Sequence, residues 1–132
     1  LTRKAQLFVV GHAGYPFDVL VAVGASDEEL FKAPGKKRAE PLTDEQRERL
    51  QMRGLGRTVM LPSGQTVLRL KTYTGTPNCI ATLAHEVFHA VHFLMDRIGM
   101  RLSYDSDEAF AYATGNLTQR VIEGVMARKK GV

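Results

Sequence analysis

The sequence predicts an α+β fold in which a small antiparallel sheet packs with two long helices. Three observations carry this expectation. Short β-branched apolar runs are confined to the part of the chain before Thr74. Capping and stop signals bracket two short helical segments among those runs. From Thr76 to Lys129 the apolar spacing turns to a helical period and stays there. Strands early and helices late is the α+β order.

The elements follow in turn. Gln6–Val10 and Asp18–Val23 are apolar runs separated by Gly11, Gly14 and Pro16, which predicts an antiparallel pair with a longish connection. Ser26 with Glu29 three residues later is a capping box, and Pro34-Gly35 ends that short helix. Thr43 with Gln46 repeats the signal for a helix through about Met52, before Gly54 and Gly56. Thr58–Leu61, Pro62-Ser63-Gly64 and Thr66–Tyr73 make a hairpin. In its second strand Leu68 and Leu70 alternate with Arg69 and Lys71, so one face is expected to be wet. Pro77 suits a first helical position and Gly99 a stop; the last helix starts after Ser106, a candidate cap, and runs to about Lys129.

Composition bounds the function. A chain of 132 residues, 44% hydrophobic and 24% charged, holds one core, so residues 1–132 are expected to form a single domain. That apolar fraction excludes a disordered chain. His, Asp or Gly interrupts every apolar stretch well before the roughly eighteen residues a bilayer requires, so no membrane partner is expected. Only a short apolar run follows Arg3 and Lys4, so no secretory leader is expected and the default compartment is cytoplasmic. The single Cys79 removes intrachain disulfides and multi-cysteine zinc sites. Eighteen basic residues against fourteen acidic give a net charge of +4, concentrated in Lys36–Arg38, in Arg47, Arg49, Arg53 and Arg57, and in the tail from Arg128. Charge alone leaves nucleic acid as an alternative partner.

The chemistry lies in His85-Glu86-Val87-Phe88-His89, an HExxH sequence inside the first long helix. Histidines at i and i+4 stand one turn apart on one face, so both imidazoles can reach one tetrahedral ion. Glu86 projects about 100° round the axis, beside the metal, where a carboxylate can take a proton from a metal-activated water. Leu83, Val87, Val91, Leu94 and Ile98 cluster on the opposite side as a core stripe. His92 shares the histidine face but lies about 10 Å along the axis from His85, which makes it a lining residue and not a ligand. Glu108, with eighteen residues between it and His89 and opening the last helix, is the candidate third ligand, with Asp105 and Asp107 as competitors. Tyr112 shares the Glu108 face and can donate a hydrogen bond to an oxyanion; Tyr73 and Tyr104 are its rivals. His12 and Cys79 have no partner at ligand spacing and are expected to be structural.

With His85, Glu86 and His89 followed by Asp107-Glu108-Ala109-Phe110-Ala111, the sequence resembles the gluzincin branch of zinc metallopeptidases. The HExxH-(x)18-E spacing is similar to that of zinc aminopeptidases. The short chain, with Glu-Ala-Phe-Ala-Tyr after the motif, is most similar to small zincin-like proteins of phages and prophages. The resemblance covers about Thr76 to Thr118 and implies a minimal zincin-like fold with Zn²⁺ held by His85, His89 and Glu108, and Glu86 as general base. It also implies hydrolysis of a protein or peptide substrate paired to an edge strand, for which Thr66–Tyr73 is the candidate. Position 112 is Tyr where thermolysin-like enzymes carry Asp, which leaves that supporting role unassigned. No exopeptidase amine-binding motif precedes the helix, and so short a chain has little with which to build a walled pocket, which directs the expectation to an endopeptidase. Two alternatives stand beside it: a non-catalytic interaction or virion-accessory module on a zincin fold, and a DNA-associated metalloprotease using the basic stretch from Lys36 to Arg57.

Overall fold

The computed structural model describes residues 4–33 and 41–129. Lys36–Arg38 and the Pro34-Gly35 helix stop lie outside the described residues, as does the end of the basic tail. The fold is α+β, with elements β1 (Gln6–His12), β2 (Tyr15–Val23), α1 (Asp27–Phe31), α2 (Asp44–Leu50), β3 (Gly56–Met60), β4 (Thr66–Leu70), α3 (Pro77–Arg97) and α4 (Asp107–Lys129). The sheet order is β1-β2-β4-β3. It is mixed and not antiparallel throughout: β1–β2 and β3–β4 are antiparallel, while β2 and β4 run parallel.

Both faces of this sheet are covered. Phe8, Val19, Val21, Val23, Leu68 and Leu70 pack under α3 and α4. Leu20, Ala22, Val59 and Val67 pack with Leu30, Leu42 and Leu50 from the α1–α2 side. Val19-Leu20-Val21-Ala22-Val23 carries no polar alternate because neither side of the strand meets water. The expected wet face of β4 is likewise absent, since all five of its residues are buried. Arg69, 1% exposed, survives there because both terminal nitrogens of its guanidinium are hydrogen-bonded, while its Nε has no partner among the described residues. It donates to Asp27 at 2.5 Å, to the Leu50 carbonyl at 2.6 Å and to the Ala25 carbonyl at 2.7 Å. The same Asp27 carboxylate accepts from the Met52 N–H, and the hydrogen bond from Arg69 holds its carboxyl below the usual range. One buried cation thereby fixes the start of α1 and the end of α2 to the middle of the sheet.

The connections are tighter than the sequence suggests. β1 and β2 are joined by Ala13 and Gly14 alone, both at positive φ, the geometry of a two-residue hairpin with a primed turn. β4 stops at Leu70, short of Tyr73. Both capping boxes form as expected, Ser26 with Glu29 and Thr43 with Gln46. Helix α3 ends in a Schellman turn, with Gly99 at φ 79° and the Met100 N–H on the Met95 carbonyl at 2.8 Å. Ile98, expected in the core stripe, is the exposed C-cap. Ser106 does not serve as the expected helix cap: its hydroxyl turns back to the Ser103 N–H and the Arg101 carbonyl. On α4 the buried stripe is Ala113, Leu117, Val121 and Val125, with Phe110 packed at its margin.

His12, at the end of β1, is buried and donates from Nε2 to the Ala90 carbonyl of α3 at 3.2 Å, while its Nδ1 has no partner. Burial pushes its pKa below 6.5, because a second proton would sit in the core without an acceptor. The unfolded chain therefore binds a proton before the folded one does as the pH falls. The contribution to stability is complete above pH 6.5 and is lost progressively below it. In chelator-treated protein, urea unfolding should show stability falling below pH 6.5 by up to about 1.4 kcal/mol per pH unit. The slope should flatten in His12→Gln, which cannot titrate.

Candidate metal centre

Helix α3 lays Leu83, Val87, Ala90, Val91 and Leu94 into the core and turns His85, His89 and His92 outward. The structure brings His85 and His89 together: their Nε2 atoms are 3.2 Å apart, with the rings edge-on at 73°. Two nitrogens on a tetrahedral zinc, each about 2.0–2.1 Å from the ion, would be separated by ~3.3 Å. The imidazole pair has the bite of two adjacent corners of that tetrahedron. Its donor chemistry suits zinc, copper or nickel better than calcium or magnesium. His92 is exposed and stacks parallel on the Phe88 ring, away from this pair.

Glu86 is only 4% exposed, unlike its neighbour His85, whose side chain is 67% exposed. Strand β3 covers it. Thr58 donates its hydroxyl to Glu86 Oε1 at 2.6 Å and also lies 3.3 Å from the Glu86 carbonyl. The second carboxylate oxygen, Oε2, is 3.9 Å from His85 Nε2. Gly56, one alternation before Thr58, makes room for this seat: a Cβ there would stand 2.8 Å from both Glu86 Cγ and Oε2. The carboxylate is thus held by one oxygen and turned toward the histidines with the other. Leu55, Gly56, Ala81, Thr82, His85 and Glu86 line an open depression at this point. Thr58 and Gly56 were not singled out from the sequence as site residues. The signal was Gly54 and Gly56 closely spaced at the entry to a strand, which the sequence explains equally well as a helix stop.

The other expected site residues stand apart. Glu108 lies in the first turn of α4 and is exposed. Among the described residues no group of three or more His, Cys, Asp or Glu side chains gathers to hold a metal ion, so Glu108, Asp105 and Asp107 do not join the pair. The reason is the helix hairpin. His12 reaches Ala90 while the adjacent Ala13 N–H reaches Asn116, which sets residue 116 of α4 near the level of residue 90 of α3. Counting outward along the antiparallel pair puts Glu108 opposite the end of α3, about 13 Å along the axis from His89. Tyr112 is 69% exposed and Tyr104 is 99% exposed; neither lines the depression, and Tyr73 is buried in the core.

Cys79, in the first turn of α3, packs in the core as expected, yet hydrogen bonds from Thr74 and Thr76 lower its thiol pKa to about 7.

A methyl group at position 56 should displace Glu86. Gly56→Ala is expected to cost about 1–3 kcal/mol of stability in urea unfolding, the usual penalty of overpacking. The same change in a Glu86→Ala background should cost much less, and this non-additivity is the signature of the contact.

No family model matches the chain, and neither the curated proteins nor the solved structures contain a match to it.

Proposed function

We propose that the chain is a zinc-dependent peptide hydrolase with His85 and His89 as metal ligands and Glu86 as general base. The observation that carries this reading is the Nε2 pair at 3.2 Å with a buried carboxylate one residue away, whose Oε2 is turned toward His85. Zinc, when bound, supplies the polarisation that allows water to attack a peptide carbonyl near neutral pH. Glu86 Oε2 takes the proton of that water and returns it to the departing amine nitrogen. Thr58 fixes the carboxylate through Oε1 and leaves Oε2 free for this exchange. Glu108 remains the proposed third ligand, and it reaches the pair only if the chain from Ile98 to Ser106 refolds toward α3.

The substrate strand is read differently from the sequence expectation. Thr66–Tyr73 cannot pair with a peptide, because β4 lies between β2 and β3. Among the described residues, β3 forms the edge of the sheet beside the depression. Leu61 donates to Gln65 and Lys71 donates to Leu55, so residues 55, 57, 59 and 61 bond inward to β4. By the alternation of an antiparallel ladder, Gly56, Thr58 and Met60 direct their N–H and C=O groups outward. An extended peptide adding to this edge would run past Glu86 and His85.

The Thr58–Glu86 bond favours one second reading, a non-catalytic interaction module in which Glu86 only ties α3 to β3.

Elemental analysis of protein purified without added metal or a histidine tag should find about one zinc per chain, lost in His85→Ala and His89→Ala. Loss in Glu108→Ala would assign the third ligand; retention would move it elsewhere. Glu86→Gln should keep its metal and lose about 10²–10⁴-fold in cleavage of a pooled peptide digest read by mass spectrometry. Full activity in Glu86→Gln, or no metal in the wild type after zinc is offered, would leave the interaction module in front. Thr58→Val should lower kcat by roughly tenfold to a hundredfold with little change in KM, and Thr58→Ser should restore it.

A further inference from the structure

Four cationic residues, Arg49, Arg53, Arg57 and Lys71, lie on β3, on the end of α2 and on the segments that adjoin them. Arg57 Nε donates to the Arg49 carbonyl at 2.7 Å, which draws the end of α2 against β3. Arg53 is exposed in the intervening loop, where its guanidinium donates to the Gln51 side-chain oxygen at 3.4 Å. The Lys71 N–H bonds the Leu55 carbonyl, so the Lys71 backbone stands beside the residue that opens the depression. Among the described residues none of these four cations pairs with a carboxylate. Glu45 and Glu48 on the same helix make no ion pair with them, while Arg47 is already matched to Asp44. The loop carrying Arg53 is anchored at both ends. Asp27 holds the Met52 N–H, and Lys71 holds Leu55.

From this arrangement we infer that the edge of β3 receives an extended acidic peptide segment, with an apolar side chain over Leu55 and Ala81 and carboxylates toward Arg53, Arg57 and Lys71. The inference rests on the hydrolase reading for its location, but it concerns recognition and needs no turnover. The outward backbone groups of Gly56, Thr58 and Met60 are spaced for another strand, which favours a peptide over a nucleic acid. Among the described residues the exposed aromatics that could stack a base, Phe88, Tyr104 and Tyr112, lie on α3, on the segment before α4 and on α4, and not on the segments that carry the four cations. Leu55 and Ala81 supply the apolar floor, with Thr82 beside them.

The test uses the full chain as Glu86→Gln, so that nothing is cleaved, and fluorescence anisotropy. The probes are a labelled peptide alternating Glu with Val or Leu, the same peptide with Lys in place of Glu, and a labelled single-stranded oligonucleotide. The acidic peptide should bind roughly tenfold more tightly than its lysine counterpart, the sum of a few exposed ion pairs. The preference should shrink with added salt and vanish in Arg53→Glu/Lys71→Glu. Circular dichroism and the urea midpoint of that double variant should match the parent, because both side chains are exposed. Equal binding of the two peptides, binding of neither, or tighter binding of the oligonucleotide would overturn the inference. An acidic peptide bound with the expected preference but left intact by zinc-loaded wild type would sink the hydrolase reading and leave this one standing. Cleavage without charge preference would do the reverse.

Discussion

The seating of one carboxylate constrains everything around the candidate centre. Glu86 belongs to α3 but is buried by β3, through the Thr58 hydroxyl above it and the missing side chain of Gly56 beside it. A buried carboxylate is costly without a donor, and the Thr58 bond supplies one. The helix is therefore locked in rotation: turning it to release Glu86 would also pull Val87 and Leu83 out of the core. That lock is what turns His85 and His89 outward at a spacing fit for a metal. Helix periodicity alone would let the pair face anywhere; the strand decides where.

Strand β3 can hold this position because the sheet behind it is pinned from the far side. Arg69 stands opposite Arg57 in the β3–β4 register and points away from α3, into the α1–α2 layer. Its bonds to Asp27, Ala25 and Leu50 close that layer around a single guanidinium. A lysine would supply the charge but not a planar fork reaching three separate oxygens. The Met52 N–H on the same Asp27 then fixes the loop that leads into Gly56. A chain of polar contacts thus runs from the buried cation through the loop to the strand over Glu86, while apolar packing supplies the bulk of the stability on both faces.

Much of this was legible in the sequence, and the remainder fails for identifiable reasons. Element types, both capping boxes, the Gly99 stop and the core stripe of α3 as far as Leu94 follow from local signals, and local signals are what a single sequence records. The order of strands is not local. Thr66–Tyr73 looks half-exposed because Arg69 and Lys71 alternate with leucines; only the tertiary burial of Arg69 reveals a central strand. The histidine pair was legible because i and i+4 spacing is itself geometry. The partners of Glu86 were not, since Thr58 and Gly56 lie about thirty residues away and meet it across the sheet. Glu108 illustrates the opposite risk. Its spacing from His89 satisfies a family pattern, yet the tight Schellman turn at Gly99 sends α4 straight back along α3.

The two oxygens of Glu86 illustrate how one residue can serve fold and chemistry without conflict. Oε1 is committed to Thr58, a contact short enough to fix the plane of the carboxylate. Among the described residues Oε2 has no donor of that kind and faces His85 across 3.9 Å, too far for a direct hydrogen bond. A general base needs that asymmetry: a fixed group whose reactive lone pair is not already consumed. The geometry around Glu86 therefore accommodates the proposed base role and the structural tie together, and it does so from side chains that no short sequence pattern contains.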